Sequence, residues 1–382
     1  MAMPVRKDLR SPIRFADFSM VVVAIAISIL GVMMNYAATW RLLEFNGDDP
    51  ASFAKRQAVF VVLGIAVMAV TATIDYRIYK DFANQGYLVV LFLLVAVLFV
   101  GREINGARSW FEVPGLPIQL QPSEFAKVTV ILAIAAFVAN HQGNLKFDAL
   151  VNALLLGVVP MALIFRQPDI GTMLVFVAIM MGMLLVAGAQ MRHIMLTTLL
   201  GLLTIFAVFN ADKVGLELVS ANQEGRLTAF LDPEADPGGA SYNLRQSQIA
   251  IGAGGFTGRG YLQGTQTNLN LVPEQETDFI FTAVGEEFGF VGGVALILGY
   301  GYLLLRMWRA AQGARDLFGT FVAVGVMSMF LFQVFQNIGM TMGIMPITGI
   351  PLPFMSHGGS STITAFAALG LAVNVSARRF MA

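Results

Sequence analysis

Long apolar runs separated by polar connections set the rhythm of this chain, and each run is about long enough for a helix to cross a bilayer. Ten such stretches lie at 18–38, 57–74, 86–101, 123–140, 149–165, 170–189, 193–211, 288–305, 317–345 and 361–377. A hydrocarbon core asks for about 17–25 apolar residues per helix. Inside lipid, a helix is also one of the few forms that satisfies its own backbone. The pattern therefore predicts an all-α polytopic membrane protein of about ten transmembrane helices. A large loop, about 212–276, separates the seventh span from the eighth.

Composition agrees: 57% of residues are hydrophobic and only 13% charged, and the mean hydropathy is +0.71. A soluble domain of this length carries far more charge. With ten spans, Arg77, Lys80, Lys146, Arg192, Arg306, Arg309, Arg315, Arg378 and Arg379 fall in short segments on the side of the basic N-terminal tail. Dense cations in short loops mark the cytoplasmic face, so both termini are expected there and the large loop outside. Basic Met1–Arg14 runs straight into the first span without a small-residue cleavage site, which reads as a retained anchor. There is no cysteine, so disulfides, thiolate nucleophiles and cysteine-held metals are excluded. No basic run points to nucleic acid.

Three outward segments are too rich to be simple connectors. Arg102 to Gln121 carries Trp110, Phe111, Leu116 and Ile118, which suit an interfacial hairpin or short helix. The 212–276 loop holds turn signals and a glycine-rich stretch from Gly252 to Gly264, yet keeps enough apolar residues to be ordered. Gly343 to Ser361 contains Pro346, Pro351, Pro353, Gly349, Gly358 and Gly359, which forbid an ordinary helix. Such backbone survives at membrane depth only where protein or a water-filled cavity supports it. The whole of 1–382 reads as one transmembrane domain, with the loop contributing to a groove.

Asp278 is the leading candidate for chemistry. It sits where Pro273-Glu274-Gln275-Glu276-Thr277-Asp278-Phe279 leads into the eighth span, and an acid at that depth needs a reason. A helix beginning near Thr277 would put Glu286 about 80° and Glu287 about 180° round from it. Two readings stand, a functional carboxylate or an N-terminal helix acid behind a Thr277 cap. Glu124 and Lys127 lie one turn apart after Ser123, the expected N-cap, as a buried ion pair or a cation that tunes an acid or meets a phosphate. Asp169 reads as the cap of a tight turn or as support for the site. Arg108, Arg226, Arg245 and Arg259 face outward and suit a diphosphate, or pair at the surface. Gln336 and Asn337, with Gln333, either bond between helices or line a cavity.

The ordered set of these segments resembles the SEDS family of bacterial cell-wall polymerases, most closely its elongation-type, RodA-like branch. It runs through Asn105–Trp110, Gln121–Glu124 with Lys127, Gln167–Thr172, Phe230–Pro233, Gln246–Gly252, Pro273–Phe281 with Glu286–Gly289, and Pro346–Ser361. Thr348 in Ile347–Pro353 marks the elongation type, where division-type members usually carry lysine. His357 stands where the family generally has tyrosine, and Glu276 where elongation-type members often have histidine. The resemblance implies polymerisation of glycan strands from lipid II, with Asp278 as the catalytic acid and Glu124–Lys127 as the buried pair near it. It also implies a class B penicillin-binding protein as transpeptidase partner, alongside other elongation-complex membrane proteins. A divalent cation, Mg2+ or Mn2+, is implied without a ligand set. A lipid II flippase and a non-catalytic scaffold are the rival readings.

Overall fold

The structure is a computed structural model that describes residues 16–104, 107–112, 119–141, 145–209, 221–232 and 239–379. The basic residues before Ala16, together with Leu116, Ile118 and parts of the large loop, lie outside the described residues. Helices α1 (Phe18–Asn46), α2 (Ser52–Thr73), α3 (Tyr76–Asp81) and α4 (Ala83–Val100) lead into three short strands, β1 (Arg102–Ile104), β2 (Ala107–Glu112) and β3 (Gln119–Leu120). Helices α5 (Pro122–Ala139), α6 (Phe147–Phe165), α7 (Ile170–Val186) and α8 (Met191–Phe209) follow. The large loop holds α9 (Ala221–Leu231), α10 (Ala240–Gly254) and α11 (Thr265–Asn268), before α12 (Ile280–Gln312), α13 (Leu317–Met342) and α14 (Gly359–Ala377).

Each of the ten apolar stretches falls on a helix. Among the described residues, eight helices are long and apolar enough to cross a membrane, while α7, at 17 residues, is shorter. The chain is therefore a predominantly helical, multi-pass membrane protein. The strands correspond to the hairpin reading of the 102–121 segment, in an otherwise helical chain. Arg102 pairs with Trp110 and Glu103 with Arg108 across an antiparallel ladder, which satisfies backbone in a polar stretch with no helical period.

Burial sorts the helices. Of the 18-residue apolar windows, 83% of that in α14 and 72% of that in α13 is buried, against 22% in α4. The inner helices carry small residues where neighbours press closest. A Cβ on Gly325 of α13 would lie 2.7 Å from Ile131 of α5 and 2.9 Å from the Met183 sulfur of α7. Close approach through small residues is the packing that lipid-embedded helices favour. At one end, the large loop folds back onto this core, with Ser247 of α10 donating to the Thr341 carbonyl of α13 at 2.6 Å.

Two local expectations are corrected. The N-cap of α5 is Gln121 with Pro122 inside the first turn, not Ser123, whose buried hydroxyl has no partner. Pro122 fits the first turn because its ring presets φ and that turn needs no N–H. Likewise α12 begins at Ile280 with Phe279 as its cap residue, so Asp278 precedes the helix. Glu274 adopts φ 53°, and the N–H groups of Thr277, Asp278 and Phe279 converge on its carbonyl at 3.3, 3.1 and 3.3 Å. That compact turn, pinned by buried Gln275 bonding Thr267 and Thr282 hydroxyls at 3.0 and 2.9 Å, occupies the residues that would have been the first helical turn.

Candidate active site

The proline-rich segment 343–358 forms the floor of the site, and buried side chains from four helices hold its carbonyls. Asn35 of α1 donates to Met355 at 2.9 Å, and Gln57 of α2 to Ser356 at 3.1 Å. Tyr300 of α12 donates to Pro353 at 2.6 Å, and Gln336 and Asn337 of α13 donate to Pro346 and Ile350, both at 2.8 Å. Irregular backbone inside a membrane protein requires this support. Gly31 of α1 lets the segment close in, since a Cβ there would lie 2.7 Å from the Met355 α-carbon.

Asp278 stands above this floor. Its carbonyl accepts from Asn337 at 2.8 Å, and its half-buried carboxylate faces Gly349. A Cβ on Gly349 would lie 3.1 Å from Asp278 Oδ2 and 3.2 Å from Nη1 of Arg226. Gly349 has φ 72°, a conformation that glycine adopts without a steric cost. The carboxylate and the guanidinium therefore flank one small space. Burial pushes the Asp278 carboxyl up to about 6; the Arg226 charge opposes the shift, while Glu274, Asp169 and Glu276 reinforce it.

Asp169 caps α7, accepting from the Thr172 N–H at 2.9 Å, the Thr172 hydroxyl at 2.7 Å and the Gln121 amide at 3.2 Å. Its turn meets the floor through Gly171, where a Cβ would be 2.6 Å from the Thr348 carbonyl. Gln223 of α9 donates to the Pro168 carbonyl of the same turn at 3.0 Å. That bond brings the helix bearing Arg226 over Asp278. Four segments distant in sequence thus converge.

The other candidates are placed differently. Glu124 and Lys127 form a buried ion pair at 2.7 Å with side chains 5% and 2% exposed. They line a cavity under Pro351–Phe354, together with Gln333 and Thr362, with about 10 Å³ open to the centre of a water, near the minimum for holding one molecule. The floor segment roofs the pair. Arg108 is exposed and pairs with Glu103 at 3.1 Å. Arg259 bonds the Ala253 carbonyl at 3.1 Å and the Thr265 hydroxyl at 3.0 Å, and Arg245 is exposed on α10. Of these four arginines, Arg226 is the one that shares the space beside Gly349 with Asp278. Glu286 is buried, receiving the Gln266 and Thr267 N–H groups at 2.8 and 2.9 Å and so fixing α11.

Sequence reasoning missed Asn35 and Gln57, although a lone amide in an apolar helix is the signal that marks them. It also missed that the two unusual residues meet. The His357 N–H donates to the Glu276 carbonyl at 2.8 Å. The His357 ring lies 4.9 Å from Phe53 and 6.1 Å from Phe60, centroid to centroid, where burial and then the Arg56 charge lower its pKa to about 4.

The family model for FtsW, RodA and SpoVE, described as cell cycle protein, matches residues 17–380. The chain belongs to this family. Stage V sporulation protein E of Bacillus subtilis is 39% identical over 94% of this chain and 96% of its own length. Peptidoglycan glycosyltransferase RodA of Treponema pallidum is 33% identical over 95% of this chain and 98% of its own. Among solved structures, a chain of a peptidoglycan synthase complex that coordinates polymerization and crosslinking superposes with a TM-score of 0.78 at 31% identity. That alignment covers 96% of this chain and 99% of the other. The segments that converge on Asp278 all lie within the part matched to the family.

Proposed function

We propose that the protein is a peptidoglycan glycosyltransferase that polymerises glycan strands from lipid II. The observation that carries this reading is the half-buried Asp278 carboxylate facing a guanidinium across the space kept open by Gly349. A carboxyl with a pKa near 6 is ionised at neutral pH yet more basic than an ordinary aspartate, which suits a general base. In the reaction, Asp278 takes the proton of the acceptor 4-hydroxyl. The freed oxygen attacks the anomeric carbon of the α-linked donor from the face opposite its diphosphate. The carbon–oxygen bond to the diphosphate breaks and undecaprenyl diphosphate leaves. One displacement inverts the centre and makes a β-1,4 bond. A diphosphate leaves readily as an anion, so one carboxylate and a cation such as Arg226 suffice where an inverting glycosidase uses two carboxyls.

Among the described residues, no three His, Asp or Glu side chains converge to hold a metal ion. A divalent cation here would draw most of its ligands from the diphosphate and water. The protein is assigned to the bacterial cytoplasmic membrane, with Asp278 on the extracytoplasmic face, where lipid II headgroups are polymerised. Short-loop cations at the opposite end support that orientation. Side-wall elongation is supported by Thr348 in the floor segment and by similarity to a RodA enzyme. A class B penicillin-binding protein is the expected partner, because the strand needs crosslinking and a similar chain occurs in a complex that couples both reactions.

The test is polymerisation of labelled lipid II by the purified protein with its transpeptidase partner, comparing wild type with Asp278→Asn. Strands from wild type and none from a folded, partner-bound variant are expected. Strands from the variant would overturn the assignment of Asp278. Their absence from wild type would favour a flippase or a scaffold.

A further inference from the structure

Asn337 lies fully buried on α13, and its amide nitrogen makes two bonds to different parts of the site. It donates to the Asp278 carbonyl and to the Ile350 carbonyl, each at 2.8 Å. One carbonyl belongs to the residue bearing the carboxylate. The other belongs to the neighbour of Gly349, the backbone wall that the carboxylate faces. Few side chains could do this, because two donors on one nitrogen occur in Asn, Gln, Lys and Arg, and the last two would bring a buried charge. The amide oxygen is buried without a partner. An unsatisfied buried acceptor is destabilising, so an apolar residue would serve simple helix packing better.

We propose that Asn337 is a positioning residue for the reaction, fixing the Asp278 carboxylate relative to the Gly349 wall. The proposal rests on reading Asp278 as the general base. Proton abstraction requires the base within hydrogen-bond reach of the acceptor hydroxyl. Displacing a reacting group by about 1 Å can cost on the order of 100-fold in rate. The second tie between these segments, His357 N–H to the Glu276 carbonyl at 2.8 Å, is two residues away, and the Asp278 N–H bonds only within its own turn, to the Glu274 carbonyl at 3.1 Å. The bond from Asn337 is what ties Asp278 directly to the support of the floor. Gln336, beside Asn337, provides an internal comparison. It is also fully buried, also leaves its oxygen without a partner, and also holds a floor carbonyl, Pro346 at 2.8 Å, but it does not touch Asp278.

The experiment measures lipid II polymerisation by the full-length protein with its transpeptidase partner, using wild type, Asn337→Leu, Asn337→Ser, Gln336→Leu and Asp278→Asn. For Asn337→Leu, kcat should fall roughly 10- to 100-fold with KM within about threefold. The midpoint of its pH–rate profile should stay at the wild-type value, since no charge is altered. Asn337→Ser keeps one donor and should fall between, which decides the matter if the leucine variant does not fold. Gln336→Leu removes one floor contact and none to Asp278, so its loss in kcat should be clearly smaller than that of Asn337→Leu. Wild-type kcat in folded Asn337→Leu, a loss carried by KM, or equal losses in Asn337→Leu and Gln336→Leu would each overturn the proposal. Activity of Asp278→Asn separates the two claims: strands from that variant sink the base itself, whereas a dead Asp278→Asn beside a fully active Asn337→Leu sinks only the positioning role.

Discussion

Replacing Asp278 with asparagine should stabilise the protein while abolishing its polymerase activity. Burial moves the carboxyl from 3.8 to about 6, so ionising it in the folded state costs about 3 kcal/mol more than in the unfolded chain. The sign follows from proton binding. Well below pH 3.8 the carboxyl is neutral in both states and costs nothing. Between about 4 and 6 the unfolded chain ionises first, so stability falls as pH rises, and above 6 the loss is complete. Asparagine keeps the shape without the charge, and the gain at pH 7.5 should approach, without exceeding, ~3 kcal/mol. At pH 4.5 it should shrink to about 1 kcal/mol. Thermal unfolding of both purified proteins at matched scan rates, at the two pH values, would measure it. A variant that melts at or below wild type at pH 7.5, or a gap that does not narrow at pH 4.5, would refute the claim that Asp278 is held at a desolvation cost. Stored strain of this kind is characteristic of functional positions.

Other outcomes follow from the same geometry. Wild-type kcat/KM should rise with pH through a midpoint near 6, about tenfold below its plateau at pH 5. Arg226→Gln removes the cation that lowers this value, so the midpoint of its profile should move upward; an unmoved midpoint would argue against their electrostatic contact. Gly349→Ala should cut polymerisation at least about tenfold, because the backbone conformation alone costs about 1–2 kcal/mol for an L-residue and the methyl would press on the carboxylate. Unchanged turnover would show that the space is not needed. Lys127→Met leaves Glu124 buried and uncompensated, a loss of about 3–5 kcal/mol, and adding Glu124→Gln should recover part of it in the melting curve. Failure of the double variant to recover would mean that the pair does more than neutralise itself.

Much of the architecture was legible along the chain because lipid makes the helical period and the apolar run length almost obligatory. Every expected apolar stretch became a helix, and Asp278 stood out as an acid that lipid disfavours. The ends of elements were less legible. Gln275 and Glu274 fold the approach to α12 into a turn through contacts with Thr267 and Thr282, and no local propensity announces such partners. The candidate arginines were equivalent in sequence; Arg226 is singled out only because Gln223 ties its helix to the Asp169 turn.

By itself, then, the sequence determined a multi-pass helical protein and named the residues from which a site could be built, because hydrophobic transfer and backbone hydrogen bonding act locally. Tertiary structure alone decided which residues meet. The floor segment can be irregular only because Asn35, Gln57, Tyr300, Gln336 and Asn337 reach it from four helices. The Glu124–Lys127 pair lies beneath that floor, where each charge offsets the other's burial cost. Such pairings depend on helix packing in three dimensions, where residues far apart in the chain satisfy each other's polar groups.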